Sequence, residues 1–359
     1  MEWIKVNIDK LFNFGVEVFK KLGVPEDDAK IVMDVLIASD RRGISSHGVA
    51  RMRRYVNGIK SGIMKPVAKI EILKETPNTI LASGGDGLGQ VVGYKVMEMV
   101  IKKALDNNVC VGVVRNSNHY GIAGYYAMMA LKHDLIGVSL TNSAPLMVPT
   151  YGKDAVLGTN PLALAFPAGK EKPIVLDMAT STVPRGKLEV YNRLSKPLPI
   201  TWATDETGRP TQDAARVLAN LLERKGGGLL PLGGADEETG GHKGYGLSFV
   251  IDILTGVLSG GAFGPNTYKK KGEPPNICHM FAALRIDAFM PVEEFKARLD
   301  EYINILRNCP KADGATRIYV AGEKEAEKEE LHKDFVEIDP KVYEDLKSIS
   351  EELSVPMEF

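Results

Sequence analysis

Cysteine and glutamine are both scarce in this chain of 359 residues. The three cysteines, Cys110, Cys278 and Cys309, are odd in number, lie far apart and form no Cys-x-x-Cys pair. This pattern excludes a disulfide framework and favours a reducing cytoplasm. The two glutamines, Gln90 and Gln212, stand beside abundant lysine and glutamate, a composition that predicts a heat-adapted protein.

Long apolar runs and a basic surplus are missing as well. No stretch approaches about 18 apolar residues, so we expect no membrane span and no membrane partner. The formal net charge of −1 argues against nucleic acid as a partner, since Lys269–Lys271 is the one tight basic run. The first residues lack the features of a signal peptide, so we expect a cytoplasmic protein. No HExxH or other metal-ligand spacing occurs, and we expect no bound metal.

The periodicity of apolar residues predicts an α/β (α+β) fold, a sheet flanked by helices. Predicted strands cover residues 79–82, 109–114, 135–140, 163–166, 174–176 and 280–286. Predicted helices cover residues 8–22, 27–40, 46–60, 91–105, 124–132, 214–224, 244–258, 292–306, 323–333 and 341–353. The helix at 244–258 is apolar nearly all round, which predicts burial. We expect a helical region at 1–75, an α/β core at 76–290 and a helical region at 291–359 that packs back on the core.

Residues 42–51, with the sequence RGISSHGVAR, are the most informative stretch. Ser46 is predicted to cap a helix that runs to Lys60. On that helix His47, Arg51 and Arg54 would share one face, opposite an apolar stripe formed by Val49, Met52, Val56 and Ile59. An imidazole exchanges protons near neutral pH, and a guanidinium grips a carboxylate with two hydrogen bonds. The pattern predicts a site for a small hydroxy or keto acid; an ordinary helix cap beside a solvated basic face is the alternative.

Four polar loops adjoin the predicted strands, at residues 115–121, 141–143, 158–161 and 177–181. Ligands are usually bound by such loops, so together they suggest one polar pocket, although each alone is an ordinary turn. The first loop supplies His119, which is either a second candidate acid/base or a solvated loop histidine. Lys243, which precedes the apolar helix, is open to two interpretations, a phosphate ligand or a surface cap.

The glycine run at residues 84–89 follows a predicted strand and precedes a helix. A dinucleotide fingerprint that starts at Gly85 and Gly87 requires a third glycine where this chain has Gln90, and the next strand ends at Arg115 rather than at an acid. The run therefore predicts a tight turn and not a Rossmann site.

The order of the motifs SHGxxR, RNSNHxG, GTNPL, LDMATS, GGHKGYGL and a final Gly-Glu resembles the type 2 malate/L-lactate dehydrogenase family over nearly the whole chain. That family also holds sulfolactate, ureidoglycolate and diketogulonate dehydrogenases and a cyclic-imine reductase. The resemblance implies a non-Rossmann nicotinamide-binding fold with a mixed, largely antiparallel sheet, and a homodimer. It also implies hydride transfer between NAD or NADP and a small 2-hydroxy acid, with malate and oxaloacetate as the nearest substrates by likeness.

The resemblance also implies roles for individual residues. His47 would be the proton donor and acceptor, Ser46 its hydrogen-bond partner and Arg51 the carboxylate clamp, although some members use the histidine that matches His119. The cofactor would lie against His119, Tyr120, Gly121, Ile122, Ala123, Asp177, Met178, Ala179, His242, Lys243, Ala321, Gly322 and Glu323. The substrate would lie near Arg51, Thr159, Arg185 and Gly186.

Three alternatives remain at this point. A cyclic-imine reductase of the same family is the first, and it is weakened because the imine-reducing branch has an aspartate after the Arg-Gly pair where this chain has Lys187, which cannot accept a hydrogen bond from imidazolium. Another 2-hydroxy acid, such as lactate, sulfolactate or ureidoglycolate, is an alternative substrate. From a different class, the chain would be a non-catalytic protein that binds nucleotides or carboxylates.

Overall fold

A seven-stranded sheet forms the centre of the computed structural model, which describes residues 3–359. The strand order is β2-β3-β4-β10-β5-β6-β7, and every neighbouring pair is antiparallel except β3 and β4. The strands are β2 Glu71–Glu75, β3 Thr79–Ser83, β4 Val109–Ser117, β5 Leu135–Thr141, β6 Leu162–Phe166, β7 Ile174–Met178 and β10 Ile277–Arg285. The predicted mixed, largely antiparallel sheet is confirmed.

Helices flank this sheet and connect its strands. They are α1 Ile8–Lys21, α2 Glu26–Arg41, α3 Met52–Lys60, α4 Gly89–Asn107, α5 Ala123–Met129, α6 Arg185–Arg193, α7 Ala214–Glu223, α8 Gly241–Asp252, α9 Val292–Arg307, α10 Glu323–Leu331 and α11 Pro340–Leu353. The parallel pair β3 and β4 requires a crossover, and α4 supplies it. Ahead of α4 the glycine run forms the predicted tight turn, in which the Gly87 N–H donates to the Gly84 carbonyl at 3.0 Å.

The two ends of the chain pack together beside the sheet. Strand β1, Ile4–Asn7, pairs antiparallel with β11, Phe335–Ile338. Asn7 then starts α1 by accepting the Lys10 N–H at 3.0 Å. One hydrophobic cluster joins side chains of α1, α2, α3 and α11, including the fully buried Phe19 and Ile349. The domain limits placed after residues 75 and 290 stay a prediction.

The helix predicted at 46–60 is shorter than expected. Two single 3₁₀ turns, Ser45–His47 and Val49–Arg51, precede α3, which begins at Met52. Gly48 interrupts the helix with a ψ of −146°, and the Ser46 side chain caps no helix. The predicted N-cap is therefore wrong, because the Ser46 hydroxyl contacts the neighbouring imidazole instead of a helical N–H. The apolar stripe from Val49 to Ile59 is buried as predicted.

The burial predicted for the helix at 244–258 is also wrong. Helix α8 continues into a π-helical turn, Ile253–Val257, and packs inward through small or polar residues such as Ser248 and Thr255. The opposite side is apolar, with exposed fractions between 43% and 56% for Leu247, Phe249, Val250, Val257 and Leu258. We call these five residues the α8 apolar face. The prediction failed because the small and polar residues of the helix face the chain, while most of its large apolar side chains face outward.

Among residues 3–359, no helix combines the length and the hydropathy that a membrane crossing requires. Within the same residues, no group of three or more histidine, cysteine, aspartate or glutamate side chains is placed to hold a metal ion.

Candidate active site

A cavity of about 640 Å³ opens where the 3₁₀ turns before α3 face the end of β4. We call it the histidine cavity, since His47 and His119 both line it. Nine residues predicted from sequence meet there, namely Ser46, His47, Arg51, His119, Tyr120, Gly121, Thr159, Arg185 and Gly186. Its size lies within the usual range for small-molecule sites, about 300–1,000 Å³. Of the four polar loops, three reach this cavity, while the loop at 177–181 does not line it.

The turn that carries His47 is held from behind by Asp40 of α2. The Asp40 carboxylate accepts the Val49 N–H at 2.8 Å. A Cβ atom added to Gly48 would come within 1.9 Å of the same carboxylate, so only glycine fits there. Burial raises the pKa of Asp40 to about 7. This contact replaces the helical hydrogen bonds that the sequence pattern predicted for the turn.

His47 and Arg51 face the cavity together, although they do not share an α-helix. His47 Nδ1 lies 2.9 Å from Ser46 Oγ. The Arg51 Nε donates to the Ser46 carbonyl at 2.6 Å, and its two terminal nitrogens form no hydrogen bond within residues 3–359. One arm of the guanidinium is therefore anchored, while the other end remains able to bind a carboxylate.

His119 is fixed by two contacts to the same ring nitrogen. Its Nδ1 lies 2.7 Å from the Tyr55 hydroxyl and receives the Gly121 N–H at 3.4 Å. Burial raises the pKa of Tyr55 to about 12, so this phenol keeps its proton. Because the backbone N–H can only donate, we assign Nδ1 as the acceptor and place the proton of neutral His119 on Nε2.

Both histidines are uncharged at neutral pH. Burial lowers the pKa of His47 to about 4, with the positive charges of Arg51 and Arg54 contributing to that value. Burial also holds the pKa of His119 well below its usual value, with Arg54 and His47 adding to the effect. An anion bound between the arginines would offset their charge and raise the proton affinity of His47.

A second cavity of about 270 Å³ contains several residues predicted to bind the cofactor. We call it the Asp177 cavity; it is lined by Gly124, Asp177, Ala321 and Gly322, among others. The Asp177 carboxylate accepts the Gly124 N–H at 2.7 Å, and burial raises its pKa to about 6. Gly322 adopts a φ of +83°, and a Cβ there would lie 2.7 Å from the Val175 carbonyl. The chain from Gly121 to Gly124 borders the histidine cavity at one end and the Asp177 cavity at the other.

The other residues predicted at the cofactor site occupy different environments. Tyr120 lines the histidine cavity but stacks on His279, with ring centroids 4.5 Å apart, in the buried layer beneath it. Ile122 and Ala123 are buried, and Met178 and Ala179 are half-buried. The Glu323 carboxylate is buried in ion pairs with Arg307 and Arg317.

His242 and Lys243 lie exposed at the start of α8, and neither lines the histidine cavity or the Asp177 cavity. Their part in cofactor binding stays a prediction.

Several residues of the site escaped sequence reasoning. Tyr55 lies among the buried apolar residues of α3, a position that does not distinguish a functional hydroxyl from a core side chain. Asp40 gave no signal, because it lies seven residues before His47 in a separate helix. Tyr268 and Arg224 also line the histidine cavity but come from distant loops that carry no recognisable motif.

Comparison with known proteins relates the whole chain to one group of enzymes. The family model described as malate/L-lactate dehydrogenase matches residues 6–347. A malate dehydrogenase of Pyrococcus abyssi is 50% identical over 90% of this chain and 87% of its own length. An L-sulfolactate dehydrogenase of Methanocaldococcus jannaschii is 42% identical over 96% of this chain and 95% of its own length. The solved structure of malate dehydrogenase from Pyrococcus horikoshii OT3 superposes with a TM-score of 0.90 at 46% identity, covering 99% of this chain and 97% of that one.

These matches agree with the order of motifs and with the non-Rossmann sheet. The predicted family and enzyme class are confirmed: the chain belongs to the malate/L-lactate dehydrogenase family.

Proposed function

We propose that this enzyme interconverts malate and oxaloacetate with NAD or NADP as the hydride carrier. The observation that carries the proposal is the meeting of His47, His119 and the unpaired end of Arg51 in one cavity. A 2-hydroxy acid offers a hydroxyl to an imidazole and a carboxylate to a guanidinium, so it matches this set of groups. The names of the related malate and sulfolactate dehydrogenases support the same substrate type.

The residues present fit a nicotinamide nucleotide. The two cavities adjoin along residues 121–124, which suits an elongated ligand with one end in each. Backbone at Gly322 approaches the Asp177 cavity where a side chain would collide with Val175. When bound, the cofactor supplies the hydride chemistry, and the protein supplies orientation and proton transfer. The proposal covers NAD and NADP alike.

Within the histidine cavity, we assign the proton transfer to His47. Its partner is the Ser46 hydroxyl, which can both donate and accept, so His47 can gain or lose a proton and keep that contact. His119 differs, because a proton on its Nδ1 would face the Gly121 N–H, and two donors cannot form a hydrogen bond with each other. His119 therefore serves as a fixed Nε2–H donor to the substrate oxygen, while Arg51 holds the carboxylate.

The test is to follow the absorbance of reduced cofactor with a panel of 2-keto acids. We expect oxidation of NADH or NADPH with oxaloacetate, and no loss of rate after chelation of divalent ions. Turnover with pyruvate but not with oxaloacetate would transfer the assignment to lactate. Binding of cofactor without turnover of any 2-keto acid would favour a non-catalytic binding protein.

We further propose that the enzyme is a cytoplasmic homodimer. The α8 apolar face is the surface that supports dimerisation, because contiguous exposed apolar residues mark interaction sites. The three cysteines form no disulfide in the described part of the chain, which suits a reducing compartment. Heat adaptation, expected from composition, is supported by ion-pair clusters such as that around Glu323.

A further inference from the structure

The charge of the histidine cavity exceeds what one carboxylate would balance. Four arginines line it, namely Arg51, Arg54, Arg185 and Arg224, with Glu189 as the acidic residue. Glu189 pairs with the Arg185 Nε at 3.0 Å, so that guanidinium is already compensated. Within residues 3–359, the other three arginines form no ion pair. If Arg51 binds one carboxylate, a positive charge still remains unmatched in the cavity.

Arg54 and Arg224 converge on a single residue, Tyr268. The Arg54 Nη2 donates to the Tyr268 hydroxyl, and the Arg224 Nη2 donates to the Tyr268 carbonyl at 2.7 Å. These two cations come from separate elements, since Arg54 lies in α3 and Arg224 ends α7. Tyr268 thus holds two guanidinium groups at one side of the cavity without neutralising either of them.

Arg54 is the better placed of the two cations for a ligand that also contacts Arg51. The two residues are three positions apart, at the junction of the 3₁₀ turn with α3, which puts their side chains on neighbouring positions of one surface. Arg54 is half-buried, whereas Arg224 is exposed. A cation held partly out of water with no acidic partner is stabilised when an anion enters.

We propose that Arg54, supported by Tyr268 and Arg224, binds a second anionic group at the far end of the substrate. The enzyme then selects four-carbon or similar acids that carry two anions, a carboxylate at Arg51 and a carboxylate or sulfonate at Arg54. This inference rests on the proposed function and adds the residue that separates such substrates from acids with one charge. A guanidinium serves either oxyanion, because both offer paired oxygens to its fork.

The experiment compares two keto acids of the same carbon count, oxaloacetate and 2-oxobutyrate, which differ in the distal charge. We expect Arg54→Gln to lower kcat/KM for oxaloacetate by about 10- to 100-fold, the usual value of a charge-assisted contact. The value for 2-oxobutyrate should stay within about threefold. Arg54→Lys should recover part of the preference for oxaloacetate over 2-oxobutyrate. Sulfopyruvate in place of oxaloacetate tests whether Arg54 also binds a distal sulfonate.

Arg53→Gln is the matched control, because Arg53 pairs with Glu352 on the outer side of the same helix and does not line the cavity. It should leave both kcat/KM values unchanged. Tyr268→Phe is a milder second variant, which removes the hydroxyl that Arg54 contacts and keeps all charges. We expect it to lower the oxaloacetate value by about 2- to 10-fold, with 2-oxobutyrate unaffected.

The ratio of the two kcat/KM values decides the outcome. An equal loss for both keto acids in Arg54→Gln, or no loss for either, would overturn the second-anion site while leaving the dehydrogenase assignment intact. Absence of turnover by the wild-type enzyme with every keto acid would instead overturn the proposed function itself.

Discussion

The imidazole rings of His47 and His119 lie stacked, with centroids 5.4 Å apart and an interplanar angle of 23°. Two positive charges at this distance repel each other, and Arg51 and Arg54 add to that repulsion. The pair therefore carries at most one proton beyond the neutral state during a catalytic cycle. Because the contacts of Tyr55 and Gly121 keep His119 Nδ1 as an acceptor, that proton belongs to His47 in our assignment.

Replacement of His47 by alanine tests this assignment. We expect kcat to fall by about 10²–10⁴-fold, the usual contribution of a positioned acid or base. Cofactor affinity should change little, as measured by titration of cofactor fluorescence. His133→Ala, at an exposed histidine outside both cavities, is the control and should behave as wild type. Normal turnover in His47→Ala combined with an inactive His119→Ala would reverse the two roles.

Removal of the Tyr55 hydroxyl should act through the tautomer of His119. In Tyr55→Phe the Nδ1 loses its closest donor, so a fraction of the rings carries the proton on Nδ1 instead of Nε2. Loss of one neutral hydrogen bond predicts a decrease in kcat of about 2- to 10-fold. The ¹⁵N chemical shifts of the His119 ring should move toward the other tautomer. Unchanged shifts together with unchanged kcat would show that Tyr55 only fills space.

The guanidinium of Arg51 should not be replaceable by an ammonium group. Lysine cannot form the forked contact, so we expect Arg51→Lys to reduce kcat/KM for the keto acid by roughly 10- to 150-fold. Cofactor binding should persist, because Arg51 does not line the Asp177 cavity, to which part of the nucleotide is assigned. If the variant binds cofactor weakly but retains kcat/KM at saturating cofactor, Arg51 is a phosphate ligand instead.

The buried Asp40 predicts a pH dependence of stability. Its pKa is about 7 in the folded protein against a usual value of 3.8, so between these values the folded state holds a proton that the unfolded state releases. Stability should therefore decline as pH rises from about 4 to 7 and stay level beyond that range. Asp40→Asn retains an acceptor for the Val49 N–H and should remove much of the decline.

Urea unfolding at pH 5 and pH 8 measures this effect. From pH 5 to pH 8, the free energy of unfolding of Asp40→Asn should increase relative to that of wild type by on the order of 2–4 kcal/mol. Asp27→Asn, in the same helix but with an exposed carboxylate, should follow the wild-type profile. Parallel profiles for wild type and Asp40→Asn would show that Asp40 is ionised in the folded protein.

The α8 apolar face should control association. Phe249→Glu places a charge in the middle of this face, where burying it in an interface would be costly. Sedimentation velocity should show a dimer for wild type and a shift to monomer for the variant. Leu331→Glu changes an equally apolar and more exposed side chain on α10, and should leave the dimer intact. A monomeric wild-type protein, or a dimer that tolerates Phe249→Glu, would contradict the proposed interface.

Local pattern and motif order predicted the fold well, because apolar periodicity reports directly which face of an element is buried. The strands from Thr79 to Met178 and most long helices lie within a few residues of their predicted ends, although α3 begins six residues later and α8 ends six residues earlier than predicted. The short pairs were missed, including β8, Ala203–Thr204, with β9, Gly228–Leu229. Strands of two or four residues are too short to show a clear alternation of apolar and polar side chains, and their partner strands lie far along the chain.

The site was predicted less completely, for a related reason. Ser46, His47 and Arg51 are close in sequence, so one motif was enough to associate them. The positions of Asp40, Tyr55 and Tyr268 depend on how separate elements pack, and residue spacing contains no information about that packing. The error at α8 has the same origin, since an apolar residue looks identical in sequence whether this chain covers it or leaves it exposed.

The pairing of β1 with β11 has a consequence for how the enzyme is made. Residues 4–7 find their partner only after residue 338 has been synthesised, and the hydrophobic cluster of α1, α2 and α3 also requires α11. The elements that carry His47 are thus synthesised well before the segments that complete their packing. Until β11 and α11 pack against them, the apolar surfaces of α1, α2 and α3 stay exposed unless something else covers them, because closing so long a segment of chain is slow. A polypeptide without α11 would expose the apolar side chains of α1 and α3 that pack against it, and α3 directly follows the turns that carry His47 and Arg51.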